Sequence, residues 1–217
     1  MARATLTISS KNYSSWSLRG WLLCRMAGLD FDEQPVAIDD EDVRQELLLL
    51  SPSVRVPRLT HGDVTVWDTL AIAEYLAEIA PDAGLLPADR AARAHCRAVS
   101  GEMHSGFYNL RSALPMNLKA RHEKFKIFSG ARPDVERIQT IWSECLDKYG
   151  GPYLFGQLSL ADAMYAPVCT RFRTYAVPLD GKLSAYCERI FAWPLMLEWT
   201  EGALAEADEI IELEVEF

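Results

Sequence analysis

The sequence lacks any apolar run of the ~18 to 20 residues that a membrane span needs, and its start, "MARATLTISS", lacks the apolar core of a secretion signal. It also lacks an excess of positive charge, because 22 Lys and Arg stand against 31 Asp and Glu, giving a net charge of -9. A chain without a basic footprint is poorly suited to neutralising phosphates or to holding an anionic membrane surface. We therefore expect neither nucleic acid nor membranes as partners.

Cysteine is scarce, and its spacing contains no C-x-x-C pair. The odd number of cysteines also fits no disulfide framework; they are Cys24, Cys96, Cys145, Cys169 and Cys187. This pattern predicts a reducing compartment and so a cytoplasmic protein. The four histidines lack metal-ligand spacing, and no glycine-rich phosphate loop is present, so we expect no metal and no nucleotide cofactor.

The first eighty residues alternate strand and helix patterns. Residues 4–9, "ATLTIS", predict a strand, and Ser17 to Ala27 predict a helix ending at Gly28. The next segments predict a strand at "FDEQPVAI", a short helix at "DEDVRQELLLLSPS", a hairpin at "VPRLTHGDVTVWD" and a helix that begins near Thr69 and is stopped by Pro81. The Pro of the second strand favours an edge position or a strand's start. The predicted order is β-α-β-α-β-β-α, an α/β unit with one small sheet.

The rest of the chain contains no convincing strand pattern. Four helices are predicted, at Ala91 to Arg111, Asp134 to Tyr149, Leu160 to Tyr175 and Trp193 to Ala207. The acidic end, "EADEIIELEVEF", is interpreted as a solvated tail. We therefore predict an α/β domain at 1–80, a linker at 81–88 and an all-helical domain at 89–217.

Four motifs in this order resemble the cytosolic glutathione transferase family, over nearly the whole chain. "SSWSLRGWLLCRMAG" is similar to the zeta-class S-S-C-S-W-R pattern, and "VPRL" to the family's V-P-x-L. "DTLAIAEYL" resembles its acid-or-amide, Ser-or-Thr signature, and "LSLADAMYAP" its capping box. The resemblance implies a thioredoxin-like first domain followed by a helical bundle.

The resemblance also implies a glutathione site with glutathione as co-substrate. Ser14 aligns with the serine that donates a hydrogen bond to the glutathione sulfur, with Ser15 as its helper. Val56 and Pro57, through a cis bond, imply pairing with the cysteinyl main chain of glutathione. Asp68 and Thr69 imply contacts with its γ-glutamyl group.

The residues themselves leave other interpretations open. Ser14 and Ser15 also suit a helix cap, because serine hydroxyls accept hydrogen bonds from first-turn N–H groups. Asp68 and Thr69 equally suit the start of the next helix. Tyr13 is a rival hydroxyl donor, because other classes of the family use a tyrosine near this strand end. Ser159 with Asp162 is interpreted as a structural capping box.

A substrate pocket is the remaining prediction. Trp16 replaces the Cys of the zeta motif, so the isomerase activity associated with that Cys is not carried over; its indole packs on the helix or forms a pocket wall. The resemblance places further candidates in the helical domain, although a solvated helix face explains them as well; they are His104, Tyr108, Arg111 and Asn117.

Taken together, these motifs predict a glutathione transferase that directs a glutathione thiolate to a small carbon electrophile or a peroxide. The alternative is a carrier or protein-interaction module that kept the fold and lost turnover, since a fold does not by itself fix a function. The resemblance further implies a homodimer, in keeping with the prevalence of two-fold oligomers.

Overall fold

The N-terminal unit is a four-stranded sheet with helices against it. The computed structural model describes residues 4–36, 56–207 and 210. The elements of this unit are β1 (Ala4–Ile8), α1 (Ser15–Met26), β2 (Phe31–Pro35), β3 (Arg58–His61), β4 (Val64–Trp67) and α2 (Thr69–Ile79). The predicted helix in "DEDVRQELLLLSPS" lies outside the described residues. The other predicted elements of the unit are confirmed.

The sheet order is β2-β1-β3-β4, with β1 parallel to β2 and antiparallel to β3. Pro35 ends β2, which is an edge strand, as its missing N–H group requires. β3 and β4 form the predicted hairpin around Gly62, whose φ of 64° suits a glycine. Thioredoxin-like topology follows from this mixed sheet.

The C-terminal unit is helical. Its helices are α3 (Arg90–Ser105), α4 (Tyr108–Ala113), α5 (Arg132–Tyr149), α6 (Leu160–Thr174), α7 (Gly181–Phe191) and α8 (Pro194–Ala205). Helix α6 lies at its centre, with almost every residue buried, and packs on both α3 and α1. No helix within the described ranges is both long enough and apolar enough to cross a membrane.

Two helix predictions need correction. The single helix expected from Ala91 to Arg111 is broken between α3 and α4, where Phe107 takes a left-handed φ of 58° and Asp134 accepts a hydrogen bond from the Leu110 N–H. Helix α7 was not predicted, although Asp180 caps it. Its apolar residues have helical spacing that would have revealed it: Leu183, Tyr186, Cys187 and Ile190.

The predicted capping box at the start of α6 is confirmed, with Ser159 and Asp162 as its members. The Asp162 carboxylate accepts hydrogen bonds from the Leu154 N–H at 3.1 Å, the Ser159 N–H at 2.9 Å and the Tyr186 hydroxyl at 3.2 Å. Burial nevertheless raises the pKa of Asp162 to about 6. This capping box fixes the N-terminal end of α6.

The acidic end is not simply a solvated tail, and that prediction was wrong at Glu206 and Ile210. The Glu206 carboxylate accepts hydrogen bonds from the Lys11 N–H at 2.5 Å, the Ser10 hydroxyl at 2.7 Å and the Asn12 N–H at 3.1 Å. Ile210 is buried against the rest of the chain. The strand-end loop has free N–H groups that attract a carboxylate, a requirement invisible in the composition of the tail.

Candidate functional site

Ser14 is the N-cap of α1. Its hydroxyl accepts from the Ser17 N–H at 3.2 Å and donates to the Ser17 hydroxyl at 2.9 Å. It is almost fully buried, in the loop between β1 and α1. At this helix start, free N–H groups and the helix dipole favour an anion.

Ser15 is the first residue of α1, and it faces the helical unit. Its hydroxyl accepts a hydrogen bond from the Arg171 guanidinium at 3.4 Å, and Arg171 also donates to the Leu114 carbonyl at 2.8 Å. The two serines thus have different environments: the Ser14 hydroxyl is bonded within the helix cap, whereas the Ser15 hydroxyl contacts a guanidinium group. A sulfur anion at this helix start would interact with the cap and with this positive charge.

The loop that carries Ser14 is held to the C-terminal unit through its own Asn12 side chain as well as through Glu206. The Asn12 side-chain oxygen accepts from the Leu118 N–H at 2.8 Å, and its amide group donates to Asn117 at 3.1 Å. Inside the loop, the Ser14 N–H donates to the Ser10 carbonyl at 3.0 Å. The position of Ser14 therefore depends on residues distant in sequence.

Tyr13 has its phenol directed toward the C-terminal segment. Its hydroxyl accepts a hydrogen bond from the Ile210 N–H at 3.3 Å, and the side chain is buried. This arrangement supports Ser14 rather than Tyr13 as the hydroxyl donor at the helix start.

Val56 and Pro57 precede β3, and the peptide bond between them is cis, as the resemblance implied. The first helix packs on this turn at Gly20, where an added Cβ would lie 2.6 Å from Pro57 Cβ. Only glycine therefore allows this approach of α1 to the turn. Val56 is buried beside it.

Asp68 and Thr69 start α2. The Asp68 carboxylate accepts from the Leu70 N–H at 2.8 Å, and the residue has φ 74° and ψ 133°, a backbone region that L-residues rarely adopt. The hydroxyl of Thr69 is buried and makes no hydrogen bond within the described part of the chain. A buried hydroxyl of this kind at the start of a helix fits an incoming carboxylate.

His104 joins Asp68 to the region around Trp16. Its Nε2 lies 2.5 Å from the Asp68 carboxylate, and its ring is 5.3 Å from the Trp16 ring. Burial raises the pKa of Asp68, but the His104 hydrogen bond and charge and the α2 N–H groups outweigh it, so the pKa lies below its usual value. Asp68 thus stays ionised, as an ammonium partner must.

Two arginines lie over the Trp16 ring and a third, Arg171, lies near both of them; of the three, sequence reasoning found only Arg111 as a site residue. The guanidinium carbons of Arg19 and Arg111 lie 4.4 Å and 4.9 Å from the centre of the Trp16 ring. Arg171 adds its charge from α6, beside Ser15. Arg19 and Arg171 are distant in sequence, and no local motif joins them. Only the packing of α1 on α6 brings them together.

The two remaining predicted pocket residues, Tyr108 and Asn117, are not part of the contacts around Trp16. Tyr108 is 60% exposed on α4. Asn117 is buried, and its side-chain oxygen accepts from Asn12 and from the Ala120 N–H at 3.2 Å, so it ties the loop to the helical unit.

No group of three or more residues suited to holding a metal ion occurs within residues 4–36 and 56–207.

Two family models match the chain. Glutathione S-transferase, N-terminal domain, matches residues 13–79, and Glutathione S-transferase, C-terminal domain, matches residues 126–209. Together they cover more than half of the chain.

Individual relatives agree with these models. A "Probable maleylacetoacetate isomerase" of Caenorhabditis elegans is 28% identical over 155 residues, 71% of this chain and 72% of the relative. "Glutathione S-transferase 1" of Dianthus caryophyllus is 29% identical over 165 residues, 75% of each chain. The crystal structure of a glutathione transferase homolog from Burkholderia with bound glutathione has a TM-score of 0.71 and 26% identity, covering 95% of this chain and 100% of the other.

Proposed function

This chain belongs to the glutathione S-transferase family and is zeta-like within it, and on that basis we propose that it is an enzyme that holds glutathione as a thiolate and directs it to a small electrophile. The isomerase name of the Caenorhabditis elegans relative is not extended to this chain, because Trp16 stands where the zeta motif has its Cys. Conjugation at an electrophilic carbon is the proposed reaction.

The start of α2 carries this proposal. Asp68 is an ionised carboxylate that suits the α-ammonium of the γ-glutamyl group. The Thr69 hydroxyl, which has no partner among the described residues, suits the carboxylate of that group. The turn at Val56 offers main-chain groups for the cysteinyl backbone of glutathione, as in strand addition. These three residues would orient the peptide with its thiol toward the start of α1.

Ser14 and Ser15 supply the proposed chemistry. A hydroxyl that donates to the sulfur, together with the positive end of α1, lowers the pKa of a thiol from ~8.5. Ser14 is the proposed donor, by turning its proton from Ser17 to the sulfur, and Ser15 is the helper. Holding both reactants together would supply the rest of the rate enhancement.

Two further properties belong to the proposal. The five cysteines are all buried and unpaired, which supports a reducing, cytoplasmic setting. Family membership supports a homodimer.

The decisive experiment combines binding with a titration of the bound thiol. Calorimetry measures the affinity for glutathione, and thiolate absorbance against pH is then followed in wild type, Ser14→Ala, Ser15→Ala and Tyr13→Phe. We expect Ser14→Ala to raise the thiol pKa by about 1.5 units, the equivalent of ~2 kcal/mol for one charge-assisted hydrogen bond. Affinity should change little, because the other contacts to the peptide remain.

A titration displaced only in Tyr13→Phe would assign the donor role to the phenol. Affinity for glutathione without a displaced titration in any variant, and without turnover of a panel of electrophiles, would favour a carrier.

A further inference from the structure

Ser10 connects the C-terminal segment to the loop that carries Ser14. The Ser10 carbonyl accepts a hydrogen bond from the Ser14 N–H at 3.0 Å. Its hydroxyl oxygen accepts from the Asn12 N–H at 3.1 Å and from the Tyr13 N–H at 3.2 Å. A hydroxyl has one proton, and Ser10 donates it to the Glu206 carboxylate at 2.7 Å. The conformation of the loop therefore depends on Glu206, which accepts the proton of Ser10.

The Glu206 carboxylate is also the acceptor for two main-chain groups of the loop. It accepts from the Lys11 N–H at 2.5 Å and from the Asn12 N–H at 3.1 Å. Ser10 and Asn12 are buried, so water could not easily replace these bonds if the carboxylate were removed. Buried donors without an acceptor are costly, and the loop would have to rearrange to satisfy them.

The position of Glu206 is itself fixed relative to this loop. Glu206 is the C-cap of α8, and its main-chain carbonyl accepts a hydrogen bond from the Lys119 ammonium group. Helix α8 is joined to the loop a second time by Trp199, whose indole N–H donates to the Lys11 carbonyl at 2.9 Å. The carboxylate is thus held at one place against the loop, as a residue that positions another must be.

We propose that Glu206 is a positioning residue: through Ser10 it holds the loop in the conformation from which Ser14 donates to the glutathione sulfur. This inference rests on the proposed glutathione transferase function, and it names a residue distant from the motifs on which the activation of the thiol depends. Glu206 does not contact the sulfur in this proposal. Its effect passes through Ser10 to Ser14, and it is large enough to measure because a hydrogen bond weakens steeply when its geometry is disturbed.

The thiol pKa of bound glutathione tests this role, measured by thiolate absorbance against pH. Glu206→Gln keeps one acceptor oxygen and removes the other, so we expect it to raise the thiol pKa by about 0.5 to 1 unit, a part of the shift expected for Ser14→Ala. If Glu206 acted only as a negative charge near the sulfur, Glu206→Gln would lower the thiol pKa instead. If its role were only structural, the melting temperature would fall and the thiol pKa would not change. Either of these two results would overturn the proposal.

Two further variants test the same connection. Ser10→Ala leaves the Glu206 carboxylate in place for Lys11 and Asn12 but removes the hydroxyl, and it should also raise the thiol pKa. It decides the question if Glu206→Gln does not fold, because an unchanged thiol pKa in Ser10→Ala would contradict the proposal. Glu206→Asp keeps the carboxylate on a shorter side chain and should give a smaller rise than Glu206→Gln.

Glu198→Gln is the control, since Glu198 lies on the same helix, α8, in an exposed pair with Arg25 at 2.6 Å. Its thiol pKa should equal that of wild type. A rise as large as that of Glu206→Gln would show that any loss of charge from α8 has this effect, and the role assigned to Glu206 would fail.

A double variant separates this inference from the function on which it rests. Because Glu206 acts only through Ser14, the thiol pKa of Ser14→Ala/Glu206→Gln should equal that of Ser14→Ala alone. A further rise in the double variant would mean that Glu206 acts by another route, and the proposal would be wrong. An unchanged thiol pKa in Ser14→Ala would refute the donor role itself. A shift in Ser14→Ala with none in Glu206→Gln would refute the positioning role alone and leave the proposed function standing.

Discussion

Asp68 serves several roles with one carboxylate. It caps α2, it pairs with His104, and it is the proposed partner of the glutathione ammonium. These roles are separable because a cap needs only an oxygen acceptor, whereas an ammonium needs a charge. A substitution that keeps the oxygen and removes the charge therefore tests the binding role.

Asp68→Ser should weaken glutathione binding by about 1 to 3 kcal/mol while leaving most of the helix cap intact. Calorimetry gives the affinity, and thermal unfolding monitors the cap. Glu74→Ser is the control, since Glu74 lies on the same helix in an exposed pair with Arg97. An isotherm for Asp68→Ser that matches wild type would remove Asp68 from the site.

Asp68 should also make folding stability and glutathione affinity depend on pH. The pKa of Asp68 is lower in the folded protein than in an unfolded chain, so its charge persists at mildly acidic pH. Its contribution to folding is present above the unfolded value of ~3.9 and is lost as pH falls through the lowered pKa. Wild-type glutathione affinity should weaken over the same acidic range, and the affinity of Asp68→Ser should not show that loss.

The pKa of Asp162 is shifted in the opposite direction, above its usual value. Its pKa of about 6 lies above that of an unfolded aspartate, so its contribution to stability is complete below pH ~4 and is lost as pH rises through about 6. Denaturant unfolding of wild type and Asp162→Asn should therefore give a stability difference that shrinks from pH 4 to pH 6.5. A difference that grows over this range would contradict the assignment.

At the scale of elements, the contact between α1 and the turn before β3 positions the two halves of the proposed glutathione site. Gly20 sets this contact, because a methyl group there would collide with Pro57. Gly101, in the C-terminal half of α3, has open space where a Cβ would be added. The two helical glycines thus form a matched pair.

Gly20→Ala should destabilise the protein and weaken glutathione binding, because α1 must move away from the turn at Val56. Gly101→Ala should stabilise it by roughly 0.5 to 1 kcal/mol, the usual helix gain over glycine. Chemical denaturation and calorimetry on both variants provide the comparison. Equal effects of the two substitutions would mean that the contact at Pro57 does not constrain the helix.

The sequence predicted the elements whose signals are local. The hairpin at Gly62, the start of α2 at Thr69 and the capping box at Ser159 all follow from residues within a few positions of one another. The break at Phe107 depends on Asp134, a residue of another helix, and so it was missed. Long-range contacts of this kind leave no periodic pattern.

The same distinction applies to the site. The motif residues around Ser14, Val56 and Asp68 could be found because the family resemblance identifies each of them locally. The arginine cluster could not, since Arg19 and Arg171 come together only when α1 packs on α6. The residues of the proposed glutathione site can therefore be found from short motifs, whereas the arginine cluster depends on tertiary packing.

At the scale of the whole molecule, we expect a homodimer. Light scattering at micromolar concentration should give about twice the chain mass of 24.4 kDa. Glu102→Ala, which removes an exposed pair with Arg137, is a useful check that loss of one surface charge does not alter the mass. A single 24.4 kDa species across that concentration range would contradict the prediction.

The carboxylate of Glu206 has a practical consequence for anyone who divides this protein. It lies at the end of α8, yet it is bonded to the main chain of Lys11 and Asn12, two residues before the proposed catalytic serine. An N-terminal half expressed alone would lose that acceptor together with the partners of Asn12, and its glutathione chemistry would be that of an altered loop. Protein engineers who exchange helical halves between relatives should therefore transfer Glu206 with its loop as a single unit.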